Sequence, residues 1–372
     1  MRASIVILAL AGACPAVFAH HGFGSFVLTE EIEVTGTVSD FALVNPHSWL
    51  YLDVRTANGA IEPFRCEMRS ATTLRRSGWS EELFPVGREV TITGLPDRND
   101  PAACYVSSVV FDDGSAIDRY DQRIPAIPDE SAPRELRLAN GDPNIAGEWA
   151  GEQLVMSDPR GVQGSLVPLS QAQDLAQENA LTTPGRDERV PLITGEAARR
   201  LFIGGVEMTT AGEAALAASR NETNPALLCE PISIVVDWSY DSPVNRITQS
   251  ESTIVLEYGK FDYTRTIHLD ETAHPAELAP SLAGHSIGRW ENDVLIVDTI
   301  GVRAGPLTRG LVNSDALHLT ERYSLDPEAM TLTREFVAED LLYYAEPFTG
   351  FDVVYPSNVP YQPSTCDDRS LF

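Results

Sequence analysis

Ile32-Glu33-Val34-Thr35-Gly36-Thr37-Val38, followed by Trp49-Leu50-Tyr51-Leu52-Asp53-Val54, decides the fold class of this chain. Both runs alternate apolar and polar residues, the period of a half-buried strand and not of a helix. Downstream, Ile61 to Met68 supplies a third strand. Ser70-Ala71-Thr72-Thr73-Leu74-Arg75-Arg76-Ser77 reads as a short helix, capped by Ser70 and stopped by Gly78. Strands over Glu89 to Thr93 and Tyr105 to Phe111 complete a strand–strand–strand–helix–strand–strand order, that of an OB-type barrel. The third and fifth strands are neighbours in that order, which brings Cys66 and Cys104 within bridging reach.

The rest of the chain continues the β pattern. Residues 118–144 contain four prolines and no period, and read as a linker. Residues 156–200 are rich in turn formers and charge, and no structure is expected of them. Thr210-Ala211-Gly212-Glu213 is a capping box that opens a short alanine-rich helix. Strands are then expected over 232–238, 245–250, 253–259, 261–269, 283–290, 293–300, 316–325 and 331–340. Tight turns at Glu291-Asn292-Asp293 and Asp326-Pro327-Glu328 join neighbours. The expectation is an up-and-down antiparallel sheet, curled or closed into a barrel. Gly147-Glu148-Trp149 stands where such a barrel begins and resembles the Gly-x-Trp of lipocalin-type barrels. The chain thus divides into residues 1–19, an OB-like domain at 20–117, a linker at 118–144 and a barrel at 145–372, mainly all-β.

Residues 1–19 have the grammar of a secretory signal peptide. Arg2 is their only charge, Ile5 to Ala13 form a short apolar run, and Val17 and Ala19 are the small residues that signal peptidase accepts. That run is shorter than the ~20 residues a membrane span needs, so a periplasmic or secreted protein without a span is expected. Lipid attachment at Cys14 is the rival reading, with Ala11 a poor fit to its recognition sequence. Without Cys14 four cysteines remain, an even number suited to an oxidising compartment. Cys66 with Cys104 and Cys229 with Cys366 is the simplest of three connectivities.

Acidic residues number 54 against 27 basic, a net charge of −27, and Lys260 is the only lysine. A surface so anionic repels nucleic acid and suits cations or neutral ligands.

Three chemistries are candidates, and none names a reaction. Cleavage after Ala19 leaves an α-amine on His20, which with the His20 ring, His21 and His47 composes a nitrogen set of histidine-brace type, suited to copper. His47 lies in Asn45-Pro46-His47-Ser48-Trp49, between the first two strands. One continuous strand over residues 31–43 would carry the chain about 40 Å from its start, so the site requires residues 22–30 to fold back. Next, Arg265 and Glu321 fall on the apolar parity of their strands, as a buried ion pair or as polar anchors for a small ligand. Last, Gly284-His285-Ser286-Ile287-Gly288 matches the nucleophile elbow of serine hydrolases, but a hairpin follows it where the elbow needs a helix. His268, His285 and His318 sit on three expected strands, from which they could converge as a ligand set, and His274 lies in a loop. Parity sets His318 on the face opposite Leu317 and Leu319, and the four read as surface or satisfied histidines.

His20-His21-Gly22-Phe23 with Val44-Asn45-Pro46-His47-Ser48-Trp49-Leu50 resembles a bacterial exported family of unknown function with a small OB-like domain. Gly284 to Glu291 with Asp298-Thr299 resembles an uncharacterised β-domain often attached to it. The resemblance implies fold and compartment and brings no activity. The expected function is small-ligand binding by the second domain, with copper binding at the N-terminus as the alternative and hydrolysis at Ser286 as a third.

Overall fold

The computed structural model describes residues 25–27, 29–119, 135–151, 154–156, 166–168, 206–219, 230–231, 233–235, 244–258, 263–308, 311–363 and 367. Cys14, the Ala19 cleavage point, His20, His21, Cys229 and Cys366 lie outside the described residues.

The first domain runs β1 (Ile32–Ala42), β2 (Trp49–Arg55), β3 (Ile61–Glu67), α1 (Ala71–Arg76), β4 (Glu89–Pro96), β5 (Ala103–Phe111) and β6 (Ala116–Asp118). Antiparallel pairs link β3-β2-β1-β4-β5, and a parallel β3–β5 pairing closes the ring. Its register sets Cys66 opposite Cys104, and the two form a disulfide. Alternation along the strands turns Val38, Leu50, Leu52, Ile92 and Val109 into one core. Ser70 caps α1 by accepting from the Thr73 amide, and the helix lays Ala71 and Leu74 over that core. Each such buried aliphatic contributes roughly 1.5–3 kcal/mol.

The second domain is a closed nine-stranded barrel. Its chain contains β7 (Gly147–Gly151), β8 (Leu154–Met156), β9 (Leu166–Pro168), α2 (Thr210–Ala218), β10 (Val244–Gln249), β11 (Thr253–Tyr258), β12 (Tyr263–His268) and β13 (His285–Glu291). There follow β14 (Val294–Ile300), β15 (Gly305–Thr308), β16 (Leu311–Asn313), β17 (His318–Asp326), β18 (Thr331–Glu339) and β19 (Phe348–Pro356). The barrel order is β10-β11-β12-β13-β14-β17-β18-β19-β7, with β7 closing the ring against β10; β8–β9 and β15–β16 form separate two-stranded sheets. Trp149 of the Gly-x-Trp is fully buried and donates its indole N–H to the Ile145 carbonyl at 2.9 Å.

The structure departs from the expected pattern in several places, among them β9 inside residues 156–200, where no structure was expected, and β19, which lies beyond the last expected strand. β12 and β13 pair in parallel, Ile267 opposite Ser286, because the connection between them crosses over instead of turning tightly. Of the expected strand at 232–238 the described residues are Ser233, Ile234 and Val235, and the last two form a turn whose carbonyls face inward to Arg334. The cap of α2 is Thr209 and not Thr210, its hydroxyl accepting from the Gly212 amide at 3.1 Å.

After β19 the chain returns along the barrel wall to the first domain. The Tyr361 amide donates to Glu148 Oε2 at 2.9 Å, and the Asp367 amide donates to the Asn45 carbonyl at 2.8 Å.

Candidate metal centre

Strand parity sorts the polar residues of β12, β13, β14 and β17 into two groups, one inside the barrel wall and one outside it. Inside, Arg265 is 1% exposed and Glu321 0%. The five N–H groups of Arg265 meet five acceptors: Ser286 Oγ, Thr299 Oγ1, Tyr323 Oη and both Glu321 oxygens. Arg334 approaches Glu321 from β18, donating through Nε to Oε1 at 2.7 Å. Its remaining nitrogens reach Asp352 and the carbonyls of Ile234 and Val235. Burial alone would push the Glu321 carboxyl up; the two guanidinium groups overcome it and hold it down at about 2. Arg265 and Glu321 therefore form a buried ion pair, satisfied from within the wall.

Ser286 belongs to the same interior. It is 1% exposed and bonds Arg265 and Thr299 in the middle of β13, with no strand–turn–helix around it. Both glycines of its motif have packing reasons. Gly284 has φ +63°, and a Cβ there would stand 2.6 Å from the Ile300 carbonyl oxygen; one on Gly288 would stand 2.6 Å from Ile267 Cγ2.

Outside, the register places His285 opposite Ile300, and Asp298 opposite both Ile287 and Thr320. Residues two apart on a strand share a face, so His285, Asp298 and His318 are diagonal neighbours on the outer wall. The β12–β13 crossover adds His268, Glu271 and His274. Four of the chain's seven histidines therefore meet in one patch, together with acidic residues. His274 Nε2 lies 2.9 Å from Asp298 Oδ2, and His318 Nε2 lies 2.5 Å from Asp298 Oδ1. His274 Nδ1 faces His285 Nδ1 at 2.9 Å. Glu271 offers Oε2 to His285 Nε2 at 3.3 Å and Oε1 to His268 Nδ1 at 3.5 Å. The His268 and His285 rings stack with centroids 5.1 Å apart.

Their surroundings shift both His285 and Asp298 downward. Burial, with His268 and His274 beside it, lowers the His285 imidazole below its ordinary value against the opposing pull of Glu271. Burial works to raise Asp298, and its bonds to His318 and His274 outweigh that and lower it. One ligand atom each from His268, Glu271 and His285 lie within 4.8 Å of one another, a set that can close on a metal ion. The expectation of satisfied or surface histidines describes each residue singly, and the alternative of a converging set named His268, His285 and His318 without Glu271 or His274. Nothing in strand parity indicates that a loop of acidic and histidine residues folds over the start of β13.

The first domain holds the one described member of the N-terminal histidine set. His47 Nδ1 sits 2.7 Å from Glu67 Oε1, on a carboxylate side chain that is 7% exposed. Residues 25–27 do fold back onto this domain: Phe26 bridges to Asp97, the Val27 amide donates to the Pro96 carbonyl, and the Phe26 ring meets Tyr105 edge-on. Tyr105 in turn pairs with Glu67 across β3–β5.

Residues 8–104 match a family of unknown function, DUF6152. No curated protein and no solved structure matches the chain.

Proposed function

We propose that this chain is an exported metal-binding protein whose second barrel holds a divalent first-row ion between His268, Glu271 and His285. The mutual approach of their ligand atoms to within 4.8 Å carries this reading. Two imidazole nitrogens and one carboxylate oxygen form a borderline donor set, suited to zinc, nickel or copper and not to calcium or magnesium. Bonds of about 2.0–2.2 Å would draw the three ligand atoms closer together around the ion. Three protein ligands leave a coordination position for water or a substrate. Export is supported by the signal-peptide grammar of residues 1–19 and by the Cys66–Cys104 disulfide, a bond that persists in oxidising compartments. On this reading the small ligand of the second domain is the ion itself, and Arg265 and Glu321 support the wall behind it. Titration of metal-free protein with Zn2+ by calorimetry tests it: one strong site that disappears in His285→Ala is expected, and an unchanged isotherm in that variant would refute it.

Copper at the N-terminus is a second reading, favoured by the anchoring of Phe26 on Tyr105, next to the Glu67 that holds His47. Five residues of chain span at most about 18 Å, so an N-terminal His20 stays within that distance of the fixed Ser25. Copper EPR on protein beginning at His20 is expected to show a nitrogen-ligated signal that weakens on His47→Ala. An identical spectrum with a retained initiator Met would count against the α-amine as ligand.

A further inference from the structure

We infer that Asp298 and His274 are positioning residues: they set the tautomer of His285 so that its bare Nε2 points at the Glu271 carboxylate, preformed as a metal ligand. This inference rests on the metal reading above and adds the device that prepares the ligand.

The argument follows the protons. Asp298 is acceptor-only as a carboxylate, so the nitrogen 2.9 Å from its Oδ2, His274 Nε2, carries the hydrogen. A neutral His274 then has its lone pair on Nδ1. That lone pair faces His285 Nδ1 at 2.9 Å, a contact that needs one hydrogen between the rings, and His285 Nδ1 must supply it. A neutral His285 is thereby left with its lone pair on Nε2. This atom faces Glu271 Oε2 at 3.3 Å, lone pair to lone pair. Two acceptors directed at each other are unfavourable unless a cation lies between them, and His268 Nδ1 lies on the same carboxylate at 3.5 Å. His318 Nε2, 2.5 Å from the other Asp298 oxygen, fixes the carboxylate from its far side. The arrangement is a ligating histidine whose second nitrogen is held by hydrogen bonding, extended here through one further imidazole. The sequence separates the parts widely, Asp298 on β14, His274 in the crossover and His285 at the start of β13, and the fold aligns them in one chain of contacts.

Long-range 1H–15N NMR of the metal-free full chain with 15N-labelled histidine reads the tautomers directly at mildly alkaline pH. His285 is expected as the Nδ1–H form and His274 as the Nε2–H form. Observation of His285 carrying its hydrogen on Nε2 would overturn the inference, whether or not metal binds. Zn2+ affinity supplies the second readout. Asp298→Ala and His274→Phe, neither of them removing a proposed ligand, are expected to weaken binding 10–100-fold and to mix the His285 tautomers. Wild-type affinity in both folded variants, with His285→Ala still abolishing binding, would sink the relay and leave the metal site standing. Absence of binding in the wild type would sink the metal site, and the tautomer spectrum would still decide the relay.

Discussion

His285 Nε2 and Glu271 Oε2 stand 3.3 Å apart on the outer wall of the second barrel, with His268 on the other oxygen of the same carboxylate. An ion bound there ties the β12–β13 crossover to the barrel, and so stabilises the folded state by mass action. At a free Zn2+ concentration one hundred times the dissociation constant the gain is about 2.7 kcal/mol. For a domain of this size that corresponds to a rise in melting temperature of roughly 5–10 °C. A chelator is expected to reverse it in the wild type and to leave Glu271→Gln unmoved. Equal zinc-dependent shifts in both proteins, measured by scanning calorimetry, would exclude Glu271 as a ligand.

Glu321 carries the opposite kind of role. It is fully buried and answers two guanidinium groups, Arg265 and Arg334. Glu321→Gln leaves both arginines charged in the interior with half their anion removed. Breaking a buried pair from one side costs about 3–5 kcal/mol, and that loss is expected in urea unfolding of the variant. Replacement of the exposed pair Arg137–Asp293 is expected to leave the unfolding midpoint almost unmoved, because water screens it, although its two N–O contacts are 2.9 and 2.6 Å. A Glu321→Gln midpoint no lower than that of Arg137→Ala would refute the central place given to Glu321.

Much of this architecture is legible in the sequence. The alternation of Ile32 to Val38 and the cap at Ser70 specify β strands and a short helix, and the expected pairing of the third and fifth strands brings Cys66 beside Cys104. Parity also placed Arg265 and Glu321 on the inner face. The outer site is legible only as one alternative, the convergence of His268, His285 and His318, because its membership depends on tertiary register. His285, Asp298 and His318 are diagonal neighbours only once β13, β14 and β17 are aligned, and His268, Glu271 and His274 join them only through a parallel crossover. A hairpin rule read along the chain looks for tight turns and does not represent such a connection. The inward turn at Ile234 and Val235 escaped for a related reason. Its apolar run suits a strand, but its carbonyls are required by Arg334, one hundred residues later.

Gly284 and Ser286 separate a structural motif from a catalytic one. Gly284→Ala places a Cβ 2.6 Å from the Ile300 carbonyl at φ +63°, and is expected to lower stability by about 1–3 kcal/mol. Ser286→Ala removes an acceptor from the Arg265 Nε, a loss of about 1–3 kcal/mol for a buried charged donor. No labelling of Ser286 by a fluorophosphonate is expected from a hydroxyl enclosed by Arg265 and Thr299. Stoichiometric labelling of the native protein would contradict the interior placement.

Asp352 gives the buried network a pH dependence of its own. Its 2.9 Å contact with Arg334 would draw the carboxyl down, but burial and the nearby Glu321 outweigh that pull and raise it to about 6. A carboxyl raised in the folded state favours folding when protonated. Its contribution is complete below the unfolded value of 3.8 and is lost as the pH rises through 6. Glu321 works in the other direction, contributing above 4.5 and losing its effect as the pH falls towards 2. Between pH 4.5 and 6.5 the Glu321 contribution is nearly constant, and the slope belongs to Asp352. Over that window the wild type is expected to lose about 2 kcal/mol relative to Asp352→Asn, whose side chain does not titrate. Urea unfolding of both proteins at several pH values measures the difference, in which the remaining titrating groups cancel. Parallel profiles would show that Arg334 keeps Asp352 ionised throughout, and that the pair outweighs the burial.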